Sequence, residues 1–161
     1  MQKSNQWGMT PEAGELDLSL GLNNSMAVLV DPSAADSVRL SAGETVQLID
    51  LGTGDYSGVN PVVGKRAAVE DPVFGIVVKS KKTFAFGPKD IVDVALEGSV
   101  LRLKASAAIN RGVTVYADLA NAGQVTGAAS GPGLGISLDK AGAAGDLVRV
   151  LVKFTPVEVE G

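Results

Sequence analysis

The chain has 161 residues, no cysteine, no histidine and a formal net charge of −4. That excludes disulfides, thiol nucleophiles, imidazole bases and zinc sites built on Cys or His, and a mildly acidic chain has no electrostatic reason to hold nucleic acid. Hydrophobic residues reach 45% but aromatics only 4%, so the core must be Val, Leu, Ile and Ala. Val favours strands because its branched Cβ packs well on a pleated surface. With 20 Gly and 7 Pro for turns, the composition predicts an all-β fold. No run approaches the roughly 18 apolar residues that a membrane span needs. The opening MQKSNQWGMTPEAGE lacks the apolar core of a secretory signal.

Residues 1–25 are polar with scattered apolar anchors: Trp7, Met9, Leu16, Leu18, Leu20 and Leu22. ELDLSLGL alternates with period two, as a strand or an arm that orders by adding to another sheet does. The plain alternative is a frayed terminus. The chain's one Trp argues for docking, because a Trp in a solvated tail leaves a large apolar surface in water.

From Met26 onward the chain reads as short strands punctuated by turns. MAVLV (26–30) stops at Asp31-Pro32, SVRL (37–40) precedes Ala42-Gly43, and TVQLI (45–49) runs into the loop DLGTGDYSG. PVV (61–63) and AAVE (67–70) precede Asp71-Pro72. VFGIVVK (73–79) is expected to meet TFAF (83–86) across the turn SKK. VDVAL (92–96) and SVLRLKA (99–105) flank Glu97-Gly98, a hairpin signal. VTVYA (113–117), QVTG (124–127), LGISL (134–138) and LVRVLVKF (147–154) complete the series. Turn signals every eight to twelve residues or so suit a sandwich or barrel. A barrel is favoured because closure removes exposed strand edges. The small residues Ala141–Gly145 suit a tight corner before the last strand, where Val148, Val150, Val152 and Phe154 share one face. The expected architecture is an arm over 1–25 and a small barrel or β-tulip-like domain over 26–161.

No stretch carries a catalytic signature. LIDLGTGDYSG places Leu51 after Asp50, where an aspartic-protease loop needs Thr or Ser. Asp50 and Asp55 among glycines lack the spacing of a calcium loop. GPGLG (131–135) has neither the Lys-Ser/Thr of a phosphate loop nor a following helix. Lys79, Lys81 and Lys82 form a basic tip without aromatics to stack bases. Asp93 and Glu97 fall on the polar face of a strand. No catalytic residue, metal or cofactor is expected.

The motifs ASAAINRG, GQVT and GISLDKAGAAGDLVRVLV carry a resemblance over about residues 40–154. Together with AAVEDPVFGIVVKS and IVDVALEGSVLRLKA they are similar to the tailed-phage capsid cement, or head decoration, proteins, broadly like that of phage lambda. The matching positions near the end are Gly135, Ile136, Leu138, Ala141, Ala144, Gly145, Asp146, Val148 and Val150. The resemblance implies a β-barrel or β-tulip-like domain, assembly as a homotrimer, and a place on the outer surface of the expanded virion head. The implied partner is the major capsid protein, whose subunits the trimer clamps, with no nucleic acid and no membrane involved. It also implies an arm ordering on the capsid, for which Trp7, Met9, Leu16, Leu18 and Leu20 are the candidate contacts. The N-terminal segment is longer than the barest family pattern. A sugar- or surface-binding β-module of a tail fibre or cell surface is the alternative. It needs exposed aromatic platforms, and the chain supplies one Trp and two Tyr.

Overall fold

The computed structural model describes residues 12–17, 23–50, 60–80 and 85–156. Twelve strands form among them and no helix: β1 (Ser25–Val30), β2 (Leu40–Ser41), β3 (Thr45–Leu48), β4 (Val62–Lys65), β5 (Gly75–Val77), β6 (Ala85–Phe86), β7 (Ile91–Ala95), β8 (Val100–Ala105), β9 (Thr114–Asp118), β10 (Gln124–Thr126), β11 (Gly133–Ser137) and β12 (Leu147–Thr155). The fold is all-β, as the composition predicts, but it closes twice. β1-β4-β3-β5-β7 makes one barrel and β8-β10-β9-β11-β12 a second, with β2-β6 as a separate two-stranded sheet.

The period-two alternation decides which side chains fill each barrel. In β12, Val148, Val150 and Val152 point inward and are buried, while the residues between them stay partly exposed. Val148 lies opposite Leu103 and Val150 opposite Leu101. These join Val115, Val125 and Leu134 in the second barrel's apolar cluster. Val28, Val30, Val46, Val63, Val77, Val92 and Val94 fill the first. Each fully buried Val or Leu contributes about 1.5–3 kcal/mol relative to exposure. With few aromatics, narrow five-stranded barrels are what such side chains can fill.

Several expected connections differ. Glu97-Gly98 is not a hairpin: β7 pairs with β1 and β5, β8 pairs with β12 and β10, and the tight turn carries the chain from one barrel to the other. Asn24 clamps this crossing. Its backbone N–H bonds the Ser99 hydroxyl at 2.8 Å, that hydroxyl donates to the Asn24 carbonyl at 2.6 Å, and the Asn24 amide donates to the Glu97 carbonyl at 3.1 Å. β6 meets β2 rather than β5. SVRL contributes only Leu40 to a strand. AAVE is a turn, because the Arg66 guanidinium bonds the carbonyls of Val69 and Asp71 while the Asp71 carboxylate accepts the N–H groups of Ala67 and Ala68. Ala141 is buried and bridged to Ile109, and Asp146 closes the corner by accepting the N–H groups of Gly142 and Ala143.

The two barrels have one topology. Taken in chain order within each, the strands run around the barrel as first, third, second, fourth, fifth, and in each the first and third are parallel. The registers coincide as well. Val46 faces Gly75 as Val115 faces Gly135, and Leu48 faces Val63 as Ala117 faces Val125. Ile76 faces Ala95 as Ile136 faces Leu151, and Val28 faces Val92 as Leu103 faces Val148. Both final strands follow a residue at positive φ, Lys89 (71°) and Gly145 (94°), and then an aspartate whose carboxylate accepts backbone N–H groups of the same turn. The molecule is an internal structural repeat.

Candidate docking site

Residues 12–17 lie along β8, where β10 does not reach. The Arg102 N–H donates to the Glu15 carbonyl at 2.8 Å, and the N–H groups of Gly14 and Asp17 donate to the carbonyls of Arg102 and Val100. Leu16 bridges Leu101 and packs on the second barrel's core. On the other side, Lys79 of the first barrel donates its backbone N–H to the Gly14 carbonyl and pairs its ammonium with Glu12. The segment is thus a turn and a single bridge residue, held by backbone bonds to β8 on one side and to Lys79 on the other. Gly14 is required there: its φ is +81°, and a Cβ would stand 2.6 Å from the Ala42 Cβ.

Charge fastens this segment. Asp17 is 2% exposed and lies 3.3 Å from the Arg102 guanidinium and 3.8 Å from that of Arg149. Arg149 is held by Asp139 through two side-chain bonds of 2.9 and 2.8 Å, and its backbone N–H bonds the same carboxylate. That hydrogen bonding with Arg149 holds the Asp139 carboxyl below the usual carboxylate range and raises the Arg149 guanidinium above its ordinary value. A buried cation, Arg66, stands 4% exposed beside the cleft between the barrels and bonds the Thr45 hydroxyl at 3.0 Å. Burial pulls its guanidinium below its ordinary value, and the Asp71 charge opposes that pull. The cleft, about 360 Å³, runs between Thr45, Lys65 and Arg66 of one barrel and Ala117, Asp118 and Gln124 of the other. Its ionic groups are engaged: Glu44 pairs with Lys65 at 3.2 Å, and Asp118 accepts from Asn121.

Of the sequence-derived contacts, Leu16 faces the chain's own second barrel. Trp7, Met9, Leu18 and Leu20 lie outside the described residues. Asp55, Lys81 and Lys82 also lie outside them, and Asp50 is exposed at the edge of the described chain. Asp93 is exposed, and Glu97 accepts the Phe154 N–H. Among the described residues, no group of three His, Cys, Asp or Glu side chains is placed to hold a metal ion.

Sequence reading missed the open half of β1. β4 meets β1 only from Leu29 onward. Residues 23–27 are all exposed, and among the described residues only the Asn60 amide reaches that side, donating to the Ala27 carbonyl at 3.0 Å. The matching stretch of β8, Val100–Arg102, is covered by residues 14–17. The repeat that reveals this is written in the sequence: Gly-x-Thr-Val at 43–46 and 112–115, Gly-Ile at 75–76 and 135–136, and Asp-Ile/Leu-Val-x-Val at 90–94 and 146–150.

Among solved structures, the fold matches the N base of head fibre gp8.5 of bacteriophage phi29 with a TM-score of 0.52 at 14% identity, over 84% of this chain and 98% of that one. A search of curated proteins finds no match. The model of the XM1 gp53 minor capsid protein family matches residues 1–152. The family match supports a phage capsid structural protein without singling out the lambda-type decoration proteins. The chain belongs to the XM1 gp53 minor capsid protein family and is a capsid-associated structural protein of a phage.

Proposed function

We propose that the chain is a non-catalytic decoration protein that binds the outside of the expanded phage head as a homotrimer and bridges major capsid subunits. The family match over residues 1–152 carries this reading. Two features support it. The twin barrels are rigid, closed scaffolds that keep most strand edges paired, and the open half of β1 offers one short edge for pairing. Modest affinity per site suffices when one assembly touches several subunits, because later contacts form at high effective concentration. The arm supplies further contacts through Trp7, Met9, Leu18 and Leu20, while Leu16 anchors its root to the second barrel.

Co-sedimentation with purified heads, expanded and unexpanded, tests the reading. Saturable binding to expanded heads alone is expected, and binding to neither overturns it. Deleting residues 1–20 also strips residues 12–17 from β8, so the arm is tested by removing residues 1–11. That truncation is expected to leave both barrels folded and weaken head binding tenfold or more. A truncation that binds as tightly as the full chain refutes the arm.

The likeness to a head-fibre base favours a second reading, a base that seats a fibre on the capsid. Electron microscopy of native heads separates the two, by knobs without protruding fibres or fibres rising from them.

A further inference from the structure

Within the chain, the barrels join through an apolar contact. Ile76 and Ala95 face out of the first barrel, are fully buried, and share one cluster with Leu101 and the rest of the second barrel's core. Thr45, opposite Ile76, is buried too. The repeat gives each of these a counterpart at the same register position. Ile136, Leu151 and Thr114 stand on the second barrel for Ile76, Ala95 and Thr45. Met26, opposite Val94, stands on the first for Leu101, opposite Val150. Among the described residues each counterpart is more exposed than its twin: Ile136 and Met26 are each 39% exposed, Thr114 is exposed and Leu151 is half-buried. Among the described residues the chain therefore uses one copy of its barrel-to-barrel joint and leaves the two halves of a second copy unmatched, on opposite barrels.

We propose that a second molecule of this chain completes that joint head to tail, the Ile136–Leu151–Thr114 face of one molecule packing on the open half of β1 around Met26 of the next. The inference deepens the proposed function, resting on its reading of a self-associating head protein, by naming the surfaces. Charge agrees with it. Lys153 is exposed beside Leu151 on one half, and Asp93, opposite Ala27, is exposed on the other. A two-fold pairing of identical patches does not use this complementarity, because the halves differ. A head-to-tail contact closes into a ring when its rotation permits, and otherwise runs on as a filament.

The chain has no cysteine, so introduced thiols report without background. The full-length double variant Met26→Cys/Ile136→Cys is treated with a short bismaleimide, alongside each single variant. Thermal melting checks that all three fold, as substitutions at exposed positions should. Covalent oligomers in the double variant that stop at one size, with only slow background dimers from the singles, are expected. Single variants that link as efficiently as the double indicate two-fold pairing and overturn the inference, as does a double variant that does not link. Wild-type co-sedimentation with expanded heads is read in parallel. Head binding without cross-linking sinks the inference and leaves the decoration reading standing. Cross-linking without head binding supports the joint and sinks the decoration reading.

Discussion

Ile76 and Ile136 occupy the same register position in two barrels of one topology, yet Ile76 is fully buried and Ile136 is 39% exposed. The difference lies in their neighbours rather than their strands. Ile76 belongs to the second barrel's buried cluster, and Ile136 belongs to neither cluster. Duplicating a barrel duplicates its sticky face, and a single chain has only one internal use for it.

The closing strand is the least forgiving element. Val150 is fully buried between Leu101 and Ser137. Val150→Asp places an unpaired carboxylate in an apolar interior, which costs several kcal/mol even after the group neutralises. Loss of soluble, cooperatively melting protein is expected. A variant that melts cooperatively near the wild-type temperature refutes this inward face.

Gly14→Ala is expected to lift residues 12–17 off β8, because the position needs a left-handed backbone and meets Ala42. The barrels retain their own cores, so the loss is local, about 1–3 kcal/mol. Hydrogen exchange reads it: the Arg102 amide, bonded to the Glu15 carbonyl, loses protection while the Leu103 amide keeps its own. Unchanged protection at Arg102 counts against a segment held by this close approach.

Asp17 and Arg102 are expected to be coupled. Removing the buried carboxylate by Asp17→Ala leaves Arg102 without its 3.3 Å partner. A double-mutant cycle with Arg102→Met, read by denaturant unfolding, should give a coupling on the order of 1–3 kcal/mol. A value near zero means that the backbone bonds alone seat the segment.

Acid should loosen the second barrel's outer ion pairs. The Asp139 carboxyl is held below its unfolded-state value, about 3.9, chiefly by hydrogen bonding with Arg149. Such a group contributes stability that is fully present above the unfolded value and is lost as pH falls through the folded one. Asp71 and Asp118 shift in the same direction, through backbone bonds from Ala68 and a side-chain bond from Asn121 respectively. The raised Arg149 titrates far above neutrality and adds no slope there. The melting temperature is therefore expected to fall below about pH 4, less steeply in Asp139→Asn. Identical acid slopes in the two proteins refute the assignment.

Strand positions and inward faces were legible because they are local. Val148, Val150 and Val152 alternate with polar or half-exposed neighbours, and that period reads the same in sequence and fold. Turns with two meanings were not legible. Glu97-Gly98 carries a hairpin signal, but Asn24 and Ser99 bind it as a crossing between barrels. AAVE has strand-like residues, but the Arg66 guanidinium gathers its carbonyls into a turn. The duplication into two barrels is not legible in the sequence because its repeat survives in a few short motifs, separated by loops of unequal length.

By itself, then, the sequence determined the all-β class, the Val-rich cores and the absence of Cys and His chemistry. These follow from composition and a period of two, which each strand carries in its own residues. Only the tertiary structure decided that the strands close twice, that residues 12–17 bridge β8 and reach Lys79 of the first barrel, and that Met26 and Ile136 stay partly exposed. Those depend on pairings between residues far apart in the chain, such as Leu16 with Leu101 and Ile76 with the second core. Local periodicity says which face of a strand seeks cover, and long-range pairing says which face finds it.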